Sequence, residues 1–315
     1  MKPPKTEQRN SRSRGLDRKS TVEILRVMNR EDATVAAAIR REIPRIARAV
    51  DAIVAALSAG GRLFYVGAGT SGRLAVLDAA ECPPTFGTAP SMVQALIAGG
   101  SSALTAAAEA AEDSAESGAS DLARAGVDQA DVLVAITASG ATPYVLGALQ
   151  FARQRGATTI GITSNADSAL ARAAQITIVP CTGAEVLAGS TRLKAGTAQK
   201  MVLNMLSTAA MVRLGRVYDN WMIGVTLTNK KLRKRGARIL EQAAGVSAST
   251  ANRALRQAGH NLPLALVTLK TGMSVAEARK KLAYARGNIR VAIEMPAHEL
   301  QRTRRAKVRA RQTGT

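Results

Sequence analysis

The stretch LFYVGAGTSGRLAVLDAAECPPTFG, residues 63–87, decides how the chain is read. An apolar run of strand length breaks into GAGTSG, residues 67–72, and then passes into apolar residues at helical spacing. A strand that enters a helix through glycines and hydroxyls offers free N–H groups and a helix dipole to an anion, and its Ser and Thr side chains add donors. At the far end Glu81 stands beside Cys82, Pro83 and Pro84, and the prolines predict that the helix ends and the chain turns there.

Outward from this stretch the same unit recurs. Apolar runs at 62–66, 92–97, 132–136, 159–163 and 176–179 alternate with helical patterns at 72–80, 103–117, 143–154 and 168–174. This alternation predicts a doubly wound α/β fold, a parallel sheet covered by helices on both faces; runs as continuously apolar as DVLVAIT fit strands buried on both sides. Upstream, Ser20 and Glu23 stand at capping-box spacing, Pro44 breaks a helical run and Gly60-Gly61 close it. Downstream, AQKMVLNMLSTAAMVRLG reads as a buried helix whose methionines fill the core rather than hold a cofactor. The expected organisation is a basic arm over 1–18, a helical segment over 19–60, the α/β domain over 61–228, a helical module over 236–295 and a basic, disordered tail over 296–315.

Composition narrows the function. The chain has 315 residues, 46% of them hydrophobic, enough for a sizeable core. No apolar run of about eighteen residues appears and the N-terminus is polar, so a cytoplasmic protein without a membrane span is expected. Cys82 and Cys181 make no disulfide framework, and His260 and His298 lie far from them, which argues against zinc. Acid–base chemistry in the body of the chain therefore falls to carboxylates. The formal charge is +21, but the tail QRTRRAKVRARQTGT alone carries six basic residues and aromatics make up only 3%, a poor basis for stacking nucleic acid bases. Nucleic acid is not the expected partner; the tail reads as solvated, with weak, salt-sensitive polyanion binding as the alternative.

Three loops follow strands and are rich in glycine and hydroxyls: GAGTSG at 67–72, TASGAT at 137–142 and GSTRLKAGTAQK at 189–200. Together they suggest a small phosphorylated ligand; singly each would serve as a tight turn between strand and helix. A dinucleotide fits less well, because no acidic residue ends the second strand, and there is no G-x-x-x-x-G-K-[ST] element. Ser71, Ser139 and Thr142 are the candidate phosphate contacts, with Thr70 and Gly140 shaping the loops. Lys194 is a candidate cation, and Arg73 and Arg192 fit the same task or a structural ion pair equally well.

GAGTSGRLAVLDAAECPPTFG, AEDSAESG, ASGATPYV and GSTRLKAGTAQKMVLNMLST resemble the N-acetylmuramic acid 6-phosphate etherase family, built on a sugar isomerase (phosphosugar-binding) domain. The resemblance runs from about residue 6 to about residue 293. It implies a flavodoxin-like α/β domain with N-terminal helices and a C-terminal module similar to ubiquitin-associated domains. It also implies a cytoplasmic homodimer of cell-wall sugar recycling that needs no metal or organic cofactor. The reaction implied is cleavage of a D-lactyl ether, giving N-acetylglucosamine 6-phosphate and D-lactate. Two departures stand out: Ala141 replaces a basic residue usual in the family, and the basic tail lies outside the resemblance.

Ether cleavage without redox chemistry proceeds by elimination, with one carboxylate removing the proton at C2 and one carboxylic acid protonating the departing oxygen. The resemblance makes Glu81 the acid and Glu112 the base. By itself, Glu81 reads equally as a surface carboxylate beside a turn. Glu109, Glu112 and Glu116, at helical spacing, read as an exposed acidic face, and burial of Glu112 would favour the catalytic reading. The alternatives are an aldose–ketose phosphosugar isomerase, which would lack the paired DAAECPP and AEDS motifs, and a non-catalytic phosphosugar-binding regulator, against which retention of both glutamates argues.

Overall fold

A computed structural model of the chain describes residues 5–296; almost all of the basic tail, with His298, lies outside them. The described residues form two compact units, residues 5–82 with 89–210, and residues 83–88 with 211–296. The first begins with three 3-10 turns between Lys5 and Arg18, followed by α1 (Thr21–Arg40) and α2 (Ile43–Ser58). The capping box between Ser20 and Glu23 starts α1, and Pro44 sits in the first turn of α2. Then come β1 (Leu63–Gly67), α3 (Gly69–Phe86), β2 (Val93–Ile97), α4 (Ala115–Arg124), β3 (Val132–Ile136), α5 (Pro143–Gln154), β4 (Thr158–Ile162), α6 (Ala169–Ala173), β5 (Ile176–Ile178) and α7 (Lys194–Arg213).

All five strands are parallel, in the order β2-β1-β3-β4-β5. Side chains alternate across the sheet. Phe64, Val66, Leu133 and Ala135 pack with Tyr144, Val145 and Leu149 of α5. On the opposite face Tyr65 donates to Asp78 of α3 at 3.0 Å, and Asn204 and Ser207 of α7 donate to the same carboxylate. Among the described residues no helix is long and apolar enough to cross a membrane.

Two expectations fail locally. The helix expected over 103–117 is two 3-10 segments, Gly100–Leu104 and Glu109–Asp113, with α4 starting only at Ala115. Ser114, its side chain accepting from Ser117 N–H, caps α4 and breaks the run, so Glu109, Glu112 and Glu116 do not share one helical face. The turn expected at Pro83-Pro84 is also absent, since α3 continues to Phe86. The fixed φ of proline is itself helical, and what is lost is the N–H of each ring. The helix stops at Gly87, at φ +63°, where a Cβ would lie 2.6 Å from the Gly224 carbonyl oxygen.

The second unit is helical, with α8 (Lys230–Ala244), α9 (Ala248–Gln257), α10 (Leu262–Thr271), α11 (Val275–Tyr284) and α12 (Ile289–Glu294). Asn229, Ser247, Asn261, Ser274 and Asn288 cap their N-termini in turn. Ile223, Leu240, Leu255, Leu264 and Leu266 lie at the centre of their core.

Candidate active site

β1 and β3 lie side by side, yet β1 leads to β2 on one side and β3 to β4 on the other. Their carboxyl ends are therefore the point where the loops diverge and leave a crevice, the usual ligand position in an open parallel sheet. A cleft of about 370 Å³ opens there, within the first unit. GAGTSG and TASGAT line it from the two strand ends, with Thr70, Ser71 and Arg73 on one wall and Thr137, Ser139 and Thr142 on the other. The N-termini of α3 and α5 start at these walls, so two helix dipoles favour negative charge in the cleft.

Glycines set this geometry at two places. At Gly72 a Cβ would lie 2.5 Å from Ile97 Cγ1, so only glycine lets α3 begin flush against the sheet. Gly140, at φ +71°, would drive a Cβ to 2.2 Å from Ser168 Oγ; its own carbonyl accepts from Leu170 N–H at 3.0 Å. Between them the hydroxyls form a linked group, with Thr137 Oγ1 2.7 Å from Thr142 Oγ1 and 3.2 Å from Ser139 Oγ. Thr142 makes no capping bond to α5.

Arg73 lines the cleft and pins its rim, donating from Nε to Leu104 O at 3.1 Å and from Nη2 to Ala106 O at 2.7 Å. Beyond that rim Glu109 and Glu112 face the cleft. Glu112 is half-buried, and its carboxyl is held above the ordinary value, first by burial and then by the negative charges of Asp113 and Glu109. Its proton affinity is thus raised in the direction a general base needs.

The other candidates lie elsewhere. Lys194 does not line the cleft: it is only 2% exposed, and its Nζ donates to Glu31 Oε2 at 2.6 Å. Arg12 and Asn10 hold the same carboxylate, which leaves the lysine committed to a structural pair. The third loop does not offer a helix N-terminus to an anion either. The fully buried Glu185 accepts from Lys194 N–H at 3.0 Å and from Ala195 N–H at 2.9 Å, so a carboxylate already occupies that end of α7. Arg192 is exposed outside the cleft, as is Ala141. Glu81 is exposed on α3, ten residues beyond Ser71, which at 1.5 Å per residue is about 15 Å along the helix.

Thr137, Thr191 and Glu7 also line the cleft, in addition to the candidates that the sequence suggests. Thr137 opens the TASGAT loop directly after β3, a position that could have marked it. Glu7 has no such signal: the Thr6 carbonyl accepts from Gly189 N–H at 3.2 Å across the chain.

Residues 45–153 match the family described as glucokinase regulatory protein N-terminal SIS domain. An N-acetylmuramic acid 6-phosphate etherase 2 of Lactiplantibacillus plantarum is 54% identical over 91% of this chain and 97% of its own length. Etherases of Geobacillus thermodenitrificans and Salmonella agona are 51% and 49% identical over 92% of this chain, covering 98% and 97% of theirs. With half of its residues shared along nearly the whole length of these relatives, the chain belongs to the N-acetylmuramic acid 6-phosphate etherase family.

Proposed function

We propose that the chain cleaves the D-lactyl ether of N-acetylmuramic acid 6-phosphate, giving N-acetylglucosamine 6-phosphate and D-lactate, as a cytoplasmic homodimer in the recycling of cell-wall amino sugars. The observation that carries the reading is Glu112, a carboxylate of raised proton affinity facing the same cleft as the hydroxyl loops at the β1/β3 strand ends. The 6-phosphate binds to Thr70, Ser71, Ser139 and Thr142 under the two helix dipoles. Arg73 supplies positive charge for the phosphate or the lactyl carboxylate.

In the open-chain sugar the aldehyde at C1 acidifies the C2 proton. Glu112 takes that proton, the electron pair of the C2–H bond becomes the C2=C3 double bond, and the C3–O bond breaks as its oxygen is protonated. Water then adds at C3, and C2 regains a proton. Glu81 is the acid that protonates the leaving oxygen. Ser71 and Glu81 lie about 15 Å apart along the same helix, a separation that supports an acid supplied by a second copy of the chain.

Incubating the protein with N-acetylmuramic acid 6-phosphate and assaying D-lactate tests the reading. Release of lactate is expected. Binding of the phosphosugar without lactate would favour a regulator of the kind that residues 45–153 resemble, and ketose formation would favour an isomerase.

A further inference from the structure

Behind the phosphate wall of the cleft lies a side chain that the reaction above does not use. Gln199, on the second turn of α7, is 2% exposed, and its Oε1 accepts from the Ser71 hydroxyl at 2.9 Å. Among the described residues its Nε2 has no hydrogen-bond partner. A buried amide N–H left without an acceptor is costly, and native interiors seldom keep one. Ser71 itself is 8% exposed and lines the cleft, so one hydroxyl joins the buried amide to the ligand space.

We propose that Gln199 is a positioning residue for the substrate phosphate, turning its amide so that Ser71 can release its hydrogen to a phosphate oxygen. The argument is one of donors and acceptors. A phosphate monoester near neutral pH is largely a dianion and accepts only. Ser71 has one hydrogen, and in the structure that hydrogen goes to Gln199. Rotation of the amide by half a turn replaces Oε1 with Nε2 at the hydroxyl. Nε2 then donates to Ser71 Oγ, and the Ser71 hydrogen is free for the phosphate. The rotation satisfies the orphaned N–H group when an anion arrives, and leaves behind a carbonyl oxygen, the less costly group to leave unpaired. Only an amide has both a donor and an acceptor end at this position. This inference rests on the phosphosugar reading of the cleft.

The test is Q199E, nearly isosteric but an acceptor when ionised, compared with the unaltered chain in N-acetylglucosamine 6-phosphate binding by calorimetry and in ether cleavage. A carboxylate at 199 keeps the Ser71 hydrogen and adds negative charge behind the phosphate. Kd and KM should rise about 10- to 100-fold, the range for losing a hydrogen bond to a charged group, while kcat changes less than about threefold. A merely structural role would instead lower the melting temperature and the active fraction, with KM unchanged, and that result overturns the inference. If Q199E does not fold, the unaltered chain crystallised with N-acetylglucosamine 6-phosphate decides. Ser71 Oγ within hydrogen-bond distance of both a phosphate oxygen and the Gln199 amide supports the inference; a hydroxyl turned away from the phosphate overturns it. Failure of the unaltered chain to bind the phosphosugar removes the proposed function itself, whereas equal binding by the unaltered chain and Q199E removes only this inference.

Discussion

At the scale of single residues, Glu112 illustrates how setting rather than identity makes a carboxylate useful. Burial first, then Asp113 and Glu109, raise its pKa above the group's ordinary value, so the deprotonated base is lost as the pH falls through that raised value. The acid limb of kcat/KM should lie at that raised value. D113N removes one repelling charge and should move the limb to lower pH; an unmoved limb would mean that another group titrates. E112Q should reduce kcat by about 10²–10⁴ and abolish exchange of the C2 proton with solvent. E81Q should reduce turnover comparably but leave exchange detectable, because the base remains. Proton exchange followed by NMR in deuterated water distinguishes the two, and normal exchange in E112Q would refute its assignment.

At the scale of elements, the cleft depends on tight approaches and on a buried ion pair. G140A places a Cβ 2.2 Å from Ser168 Oγ at a φ of +71°, so the loop after β3 must shift. A loss of about 1–3 kcal/mol is expected by chemical denaturation, with weaker phosphosugar binding. Lys194 and Glu31 tie α7 to α1, each 2% exposed. K194M leaves the buried glutamate with Asn10 and the exposed Arg12 but without its buried cation, and should cost about 3 kcal/mol, more than the double variant E31M/K194M, which removes both buried charges. Burial pushes the Glu31 carboxyl up, but the bonds from Lys194 and Asn10 and the charge of Arg12 outweigh it, so its folded pKa is lowered. The stabilisation is therefore complete above the unfolded pKa and lost as the pH falls through the lower folded value. Denaturation curves showing no cost for K194M at neutral pH would contradict this account.

At the scale of the whole molecule, the separation of Glu81 from the phosphate wall makes a prediction about assembly. If Glu81 serves the cleft of a second copy, E81Q and E112Q subunits mixed under exchanging conditions form heterodimers in which one of the two sites is intact. Random pairing then restores about a quarter of the sites. Activity should rise from near zero toward that fraction, and an inactive mixture with proven subunit exchange would place both glutamates in one subunit.

The sequence determined the α/β class, the five strand positions and the two hydroxyl loops, because apolar runs, glycines and caps are written among near neighbours. The resemblance of its motifs singled out Glu112, which local periodicity alone read as part of an exposed acidic face, and the loops suggested the hydroxyls of Ser71, Ser139 and Thr142; all four line the cleft. Periodicity, however, extended a helix through residues 109–116, where the Ser114 cap and the 3-10 turns place Glu109 and Glu112 at the cleft. The local rule for proline ended α3 at Glu81, whereas the left-handed φ of Gly87 ends it at Phe86. Lys194 read as a cation for the ligand until the fold brought it to Glu31, 163 residues away, and the end of α7 read as an anion site until Glu185 filled it. Which charge meets which depends on strand order and helix packing, and those contacts join residues too far apart in the chain for any local pattern to encode.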